Sequence, residues 1–416
     1  MTDEPAPRAR LAALRRELAG SGGGYLLGAT LAQSAGQGAA MACNAVFFVR
    51  VVGLAPSAVG TVQSAAALTS MALAVVVGPL ADRYGARPVA VRLGLALAGA
   101  VAAYALVADL AGFAVVHLLV ASLRTGRQIG ESALIADLVD ARAKFRAYQR
   151  SVQNIGISLG TVAAAVPLYL DTRPAYLVVM LGNAVVIAVA ALLVRAVPGP
   201  RVPVRSRART GRLALRDRRY VAVGLLCGLM EVRDSVLTVG LPLWVTAHTD
   251  APRPLVSALL FVNTAMVIAL QVRASAGAAT VRGATRVMRA GGFALAASCA
   301  VFGLAGGTGG GWTVALLVAG AVALTLGEMW TSASSWTLSY DLADPRAHGQ
   351  YQGVFEMTSG IGVLAGPILC TTVALSHGFW GWAGIGAGFA VVGLAVRRVA
   401  GRGGPGVHQP VRAEAV

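Results

Sequence analysis

Apolar runs long enough to cross a bilayer recur along almost the whole chain. They fall at 25–49, 57–81, 93–110, 113–136, 151–170, 175–194, 221–244, 255–275, 290–306, 312–338, 353–375 and 379–396. A helix that crosses the hydrocarbon needs about 20 mostly apolar residues. Inside lipid, each backbone N–H and C=O must find its partner within the protein, so such runs become helices. The pattern predicts an all-α polytopic membrane protein with 12 transmembrane helices. Composition agrees: 56% of the 416 residues are hydrophobic and 13% are charged, against about 25% charged in soluble domains. Mean hydropathy is +0.69.

The net charge of +17 would suit a nucleic-acid partner, but the basic residues gather in alternate loops. With the N-terminus inside, the inside segments hold 28 Lys and Arg, and the outside loops hold Arg50, Arg173 and Arg253. The positive-inside rule then predicts two cytoplasmic termini. Residues 1–24 become an N-tail and 397–416 a C-tail. The stretch 195–220 reads as a basic cytoplasmic linker broken by Pro198, Pro200 and Pro203. Its arginines suit anionic lipid rather than nucleic acid. The first apolar run is longer than a signal-peptide core and reads as a retained span. Cys43, Cys227, Cys299 and Cys370 stand singly in apolar segments, so neither a metal site nor a disulfide framework is expected. The sole lysine, Lys144, is not in a phosphate-loop setting. No catalytic constellation stands out, and the chain is not expected to be an enzyme.

An internal repeat divides the chain. Asp137-Leu-Val-Asp140-Ala-Arg142, Tyr148-Gln149 and Gly156-x-x-x-Gly160 recur as Asp341-Leu-Ala-Asp344-Pro-Arg346, Tyr351-Gln352 and Gly362-x-x-x-Gly366. Two six-helix bundles in the same orientation follow, 25–194 and 221–396. A parallel repeat of this kind places a substrate path between the halves near the midplane.

Polar side chains inside the spans are costly and mark cavities or partners. At 100° per residue, the fourth span aligns His117, Arg124, Gln128 and Glu131, with Arg127 nearby. This stripe is a candidate anion-binding or proton-relay face, or an internally satisfied Arg127–Glu131 pair. The first span aligns Gln33, Gln37 and Asn44, amides that suit either a ligand or a neighbouring helix. The seventh places Glu231 and Asp234 on one face, with Arg233 pointing elsewhere. The tenth aligns Thr325, Glu328, Ser332, Ser335 and Ser339. Glu231, Asp234, Glu328 and Glu131 are the proton-coupling candidates, because a desolvated carboxylate can bind and release a proton. Gln33, Gln37, Asn44, His117, Arg124, Arg127, Gln128, Ser332 and Ser335 are the substrate-cavity candidates. Trp330, Trp336 and Tyr340 read as interfacial or packing aromatics.

The turn Gly78-Pro-Leu-Ala-Asp82-Arg83-Tyr-Gly85-Ala-Arg87 resembles G-x-L-A-D-R-x-G-R-R, the loop 2–3 signature of the major facilitator superfamily. Arg124 or Arg127 resembles the family's span-4 arginine, which is associated with proton coupling. Gly156-x-x-x-Gly160 and Gly362-x-x-x-Gly366-Pro367 resemble its exporter-associated span-5 signature. The likeness is nearest to bacterial drug-exporter-like members. It implies a secondary transporter working by alternating access, driven by a proton gradient and without cofactors. Proton-coupled export of a small amphipathic drug or secondary metabolite is the leading expectation, and proton-coupled uptake of a small metabolite, anionic or neutral, the alternative. The setting would be the bacterial cytoplasmic membrane, with the lipid bilayer and a small-molecule substrate as partners and a monomer as the working unit. The resemblance makes Gly78, Asp82, Arg83, Gly85, Arg87 and Asp137 a conformational latch. Asp82 would contact the start of span 11 near Tyr351 to Gly353, and Arg83 or Arg87 would pair with Asp137.

Overall fold

A computed structural model of the protein describes residues 23–138, 142–197, 213–252 and 254–400. Most of the expected C-tail and of the N-tail, the centre of the basic linker, Asp140 and Arg253 lie outside them. Among the described residues the chain forms helices and no strand. The long helices are α1 Gly23–Val46, α2 Pro56–Tyr84, α3 Ala86–Ala102, α4 Leu110–Leu138, α5 Arg142–Ala163 and α6 Arg173–Arg195, then α7 Arg218–Met230, α8 Leu255–Ser275, α9 Val281–Ala305, α10 Gly311–Asp341, α11 His348–Ile368 and α12 Leu375–Ala400.

Each expected apolar run falls mainly on one of these helices or on a short helical continuation of it; the run 93–110 leaves helix at 107–109. Eight stretches are long and apolar enough to cross a membrane, the last of them running through both α11 and α12. Helix α4 carries Arg124, Arg127 and Glu131, and α7 is interrupted after Met230. Several helices outrun their apolar runs. Helix α5 starts at Arg142 rather than 151, and α3 at Ala86 rather than 93. Their first turns carry Arg87 and Arg142 and lie where the basic loops were expected.

Local chemistry sets the helix ends. Pro56 opens α2, where a missing N–H costs nothing. Asp217 caps α7 by accepting from the Tyr220 N–H at 2.9 Å. Gly85, at φ 89°, both ends α2 and starts α3, and glycine tolerates that conformation without a Cβ clash.

Packing repeats along the chain. Helix α1 packs on α5 and α6, α2 on α4, and α3 on α4 and α6. Helix α7 packs on α11 and α12, α8 on α10, and α9 on α10 and α12. The second set is the first shifted by six helices. The halves meet through α2 with α11 and α5 with α8, and the same shift exchanges those two pairs. The repeated glycines explain the intimacy within each half. A Cβ at Gly160 would strike the Ala35 carbonyl of α1, and one at Gly362 would strike the Gly228 carbonyl of α7. These glycines let helix backbones touch.

Candidate functional site

At the 78–87 turn the two halves are joined. Asp82, at the end of α2, faces the first turn of α11. Its Oδ1 accepts from the Gly349 N–H at 2.6 Å, and its Oδ2 accepts from the Gln350 N–H at 2.9 Å. The contact falls just before the Tyr351–Gly353 segment expected from the sequence, because unpaired N–H groups and the positive helix end are concentrated in the first turn. Gly78 permits the approach: a Cβ there would lie 2.8 Å from the Gln350 Cα. The two arginines of the turn also make contacts of their own. Arg87 donates to the Val197 carbonyl at 2.7 Å, and Arg83 lies over the Tyr84 ring. Asp137 is exposed near the end of α4.

One layer deeper, charged groups bridge the halves. Arg146 donates to the Tyr340 hydroxyl of α10 at 2.8 Å, to Ser132 of α4, and to Gln149 at 2.8 Å. Tyr340 is therefore a hydrogen-bonding partner, not only a packing aromatic. Arg150 Nη2 lies 2.8 Å from Glu328 Oε1, and the Asn263 amide donates to Glu328 Oε2 at 2.8 Å. Glu328 is only 6% exposed. Gln128 of α4 donates to Glu356 of α11 at 3.0 Å. Sequence reading placed Arg146 and Arg150 among the loop charges and passed over Asn263 and Glu356. The available signal was the four-residue spacing of Arg146 and Arg150, which aligns them on one helix face.

The α7 candidates are arranged differently from expectation. Arg233 does not point away. It clamps both Glu231 oxygens at 3.0 Å and donates to Ser332 of α10 at 3.1 Å. Asp234 lies 3.7 Å from the Arg233 Nε and is 47% exposed. The reason is a break in the helix. It ends at Met230, resumes at Val232, and widens to a π-turn over Val236–Gly240. A constant 100° phase fails across such a break. Ser335 is buried at 3% exposure.

The fourth-span stripe divides into two environments. Arg127 pairs with Glu131 one turn on, as one of its two sequence readings held. Arg124 and His117 instead line a cavity of about 370 Å³ inside the first half. The Tyr104 hydroxyl and His117 Nδ1 are hydrogen-bonded at 2.6 Å. Asn44 reaches the same cavity. Gln33 is half-buried on α1, and Gln37 donates to the Met41 sulfur at 3.8 Å; neither lines that cavity.

Long apolar helices in two repeated halves, joined by a buried ion pair and holding a polar cavity, are the features of a membrane carrier. Residues 25–367 match the family model of the Major Facilitator Superfamily, and the chain belongs to that superfamily. It is accordingly a multi-pass membrane protein and a secondary carrier of a small-molecule substrate, not an enzyme. Comparison with curated proteins found no match. The fold is similar to a bacterial homologue of the iron transporter ferroportin in an outward-facing state: 15% identity, TM-score 0.72, covering 91% of this chain and 98% of that one. It is similar to the human organic anion transporter MFSD10, with 14% identity, TM-score 0.66, and 90% and 98% covered. The proton:xylose symporter XylE gives 13% identity, TM-score 0.66, and 90% and 94% covered. At these identities the likeness is one of fold.

Proposed function

We propose that the chain is a proton-coupled carrier working by alternating access, which exports a small amphipathic drug or secondary metabolite across a bacterial cytoplasmic membrane. In this reading twelve helices cross the bilayer as two units, 25–194 and 221–396. Both termini and the 195–220 linker are cytoplasmic, and a monomer suffices. The distribution of arginines supports the orientation. The 78–87 end is then the cytoplasmic face, closed by Asp82 on α11 and Arg146 on Tyr340, so this state is outward-facing.

The observation that carries the coupling is the Arg150–Glu328 pair, 2.8 Å across the two halves. Removing one partner of a buried pair costs about 3–5 kcal/mol, because the other charge is left uncompensated. A proton on Glu328 does the same to Arg150, and so loosens α5 from α10. Glu356 on Gln128 is a second cross-half carboxylate. Glu231, clamped by Arg233, adjoins the same network through Ser332. Export is supported by the resemblance of the Gly156 and Gly362 motifs to the exporter signature. Uptake of a small anionic metabolite is the second reading, favoured by Arg124 in the cavity.

The test is efflux from cells loaded with cationic, neutral and anionic amphipaths in turn. At least one compound should leave in a gradient-dependent way, and Glu328→Gln should uncouple its movement from protons. Efflux that survives dissipation of the gradient, or full proton-driven transport by the variant, refutes the coupling. Net accumulation under the same gradient would decide for uptake.

A further inference from the structure

The cavity within the first half has a definite chemistry. Its volume of about 370 Å³ falls in the roughly 300–1,000 Å³ range of small-molecule sites. It lies toward the end of the half away from the 78–87 turn, between the C-terminal part of α1, the start of α4 and the start of α6. One wall is aromatic: the Phe48 and Phe113 rings are 4.5 Å apart, and Tyr104 lies 5.2 Å from Phe48.

Three polar residues that line this space carry groups without protein partners. Arg124 makes no hydrogen bond or ion pair with any described residue. The carboxylate two turns along its helix, Glu131, is taken by Arg127. Asn183 is 4% exposed, and its Oδ1 is buried without a hydrogen-bond partner. Asn44 Oδ1 is in the same condition. His117 is not available in the same way, since its Nδ1 is held by Tyr104. A half-buried cation without an anion is costly. A buried acceptor without a donor costs about 1–3 kcal/mol. Both deficits sit on one cavity backed by tilted, buried aromatic rings.

We propose that this cavity binds a small amphipathic organic anion that also carries a hydrogen-bond donor. The anionic group pairs with the Arg124 guanidinium, and the donor reaches Asn183 or Asn44. The apolar body lies along the apolar lining, which includes Met41 and Ala121. This rests on the carrier reading above and deepens it by naming the substrate class.

The test is equilibrium binding to the purified full-length protein in detergent, with no gradient imposed. The probes are 6-hydroxy-2-naphthoate, 2-naphthoate and 2-naphthol. The hydroxy acid should bind tightest and 2-naphthol weakest. Arg124→Gln should weaken both carboxylates about tenfold or more, as loss of a charge-assisted hydrogen bond requires, and leave 2-naphthol nearly unchanged. Arg124→Lys should recover part of that loss. Asn183→Leu should erase the advantage of the hydroxy acid over 2-naphthoate. Should Arg124→Gln fail to fold, the three-probe order on the unmodified protein and the Asn183→Leu comparison decide the matter. Equal binding of 2-naphthol and the carboxylates overturns the proposal. So does carboxylate binding indifferent to Arg124, or no carboxylate binding by monodisperse protein. The assay uses no proton gradient, so a failure of coupled export would leave its outcome standing, and the reverse holds as well.

Discussion

Replacing Asp82 by asparagine removes the carboxylate that holds α2 to the first turn of α11 while keeping nearly the same shape. In the native arrangement both oxygens accept, at 2.6 and 2.9 Å, from the N–H groups of Gly349 and Gln350. Hydrogen bonds to a charged group contribute about 1.5–3 kcal/mol each, and a carboxylate at a helix N-terminus adds about 0.3–1 kcal/mol. The amide retains one acceptor, so the loss comes to about 2 kcal/mol, or about 30-fold in the ratio of closed to open states. The loss falls on the closed state alone, because only there does α11 stand against α2. Spin labels on Tyr84 and Arg346, both exposed near this end, would report the ratio through their distance distribution. The four cysteines are buried and would not compete for label. A Gly78→Ala variant should shift the ratio the same way, since its methyl would press on the α11 backbone. An unchanged distance distribution in Asp82→Asn would refute the latch.

Tyr340→Phe removes the acceptor for the Arg146 Nε; the same label pair should show opening in the same direction, by about 1–3 kcal/mol. Gly85→Ala forces a side chain onto φ 89° and should lower thermal stability by about 1–2 kcal/mol, read as a reduced melting temperature. The Asp250 carboxylate accepts from the Gly310 N–H at 2.7 Å, and that bond holds it below its ordinary value of 3.8. A lowered folded-state pKa contributes stability above 3.8 that is lost as the pH falls through the folded value. Melting curves of the native protein and Asp250→Asn should therefore differ at pH 6 and converge at the acid end.

Much of the architecture was legible because its causes are local. Hydrophobic runs and arginine-rich loops mark helices and their ends, and the repeated Asp–Tyr–Gln–Gly pattern marks two halves that pack alike. The Asp82 turn was legible for the same reason: a tight, charged, glycine-bounded turn between two apolar runs leaves few structures open. The candidate site was less so. Arg146 and Arg150 looked like loop charges because they precede the apolar run at 151, yet α5 already includes them. Glu231 and Arg233 were phased as if on one unbroken helix, and the break after Met230 turned them toward each other. Arg124 and Arg127 share a stripe in sequence, but only one of them has a carboxylate one turn away.

The sequence by itself determined the helical class, the spacing of the helices and the duplication, since burial of backbone polar groups in lipid admits no other response to such runs. The tertiary structure alone decided which charge meets which. Glu328 pairs with Arg150 from the other half, 178 positions away in the chain, and Asp82 with backbone groups 267 and 268 positions away. Those partners are chosen by how helices pack across the seam, and helical periodicity carries no record of that packing.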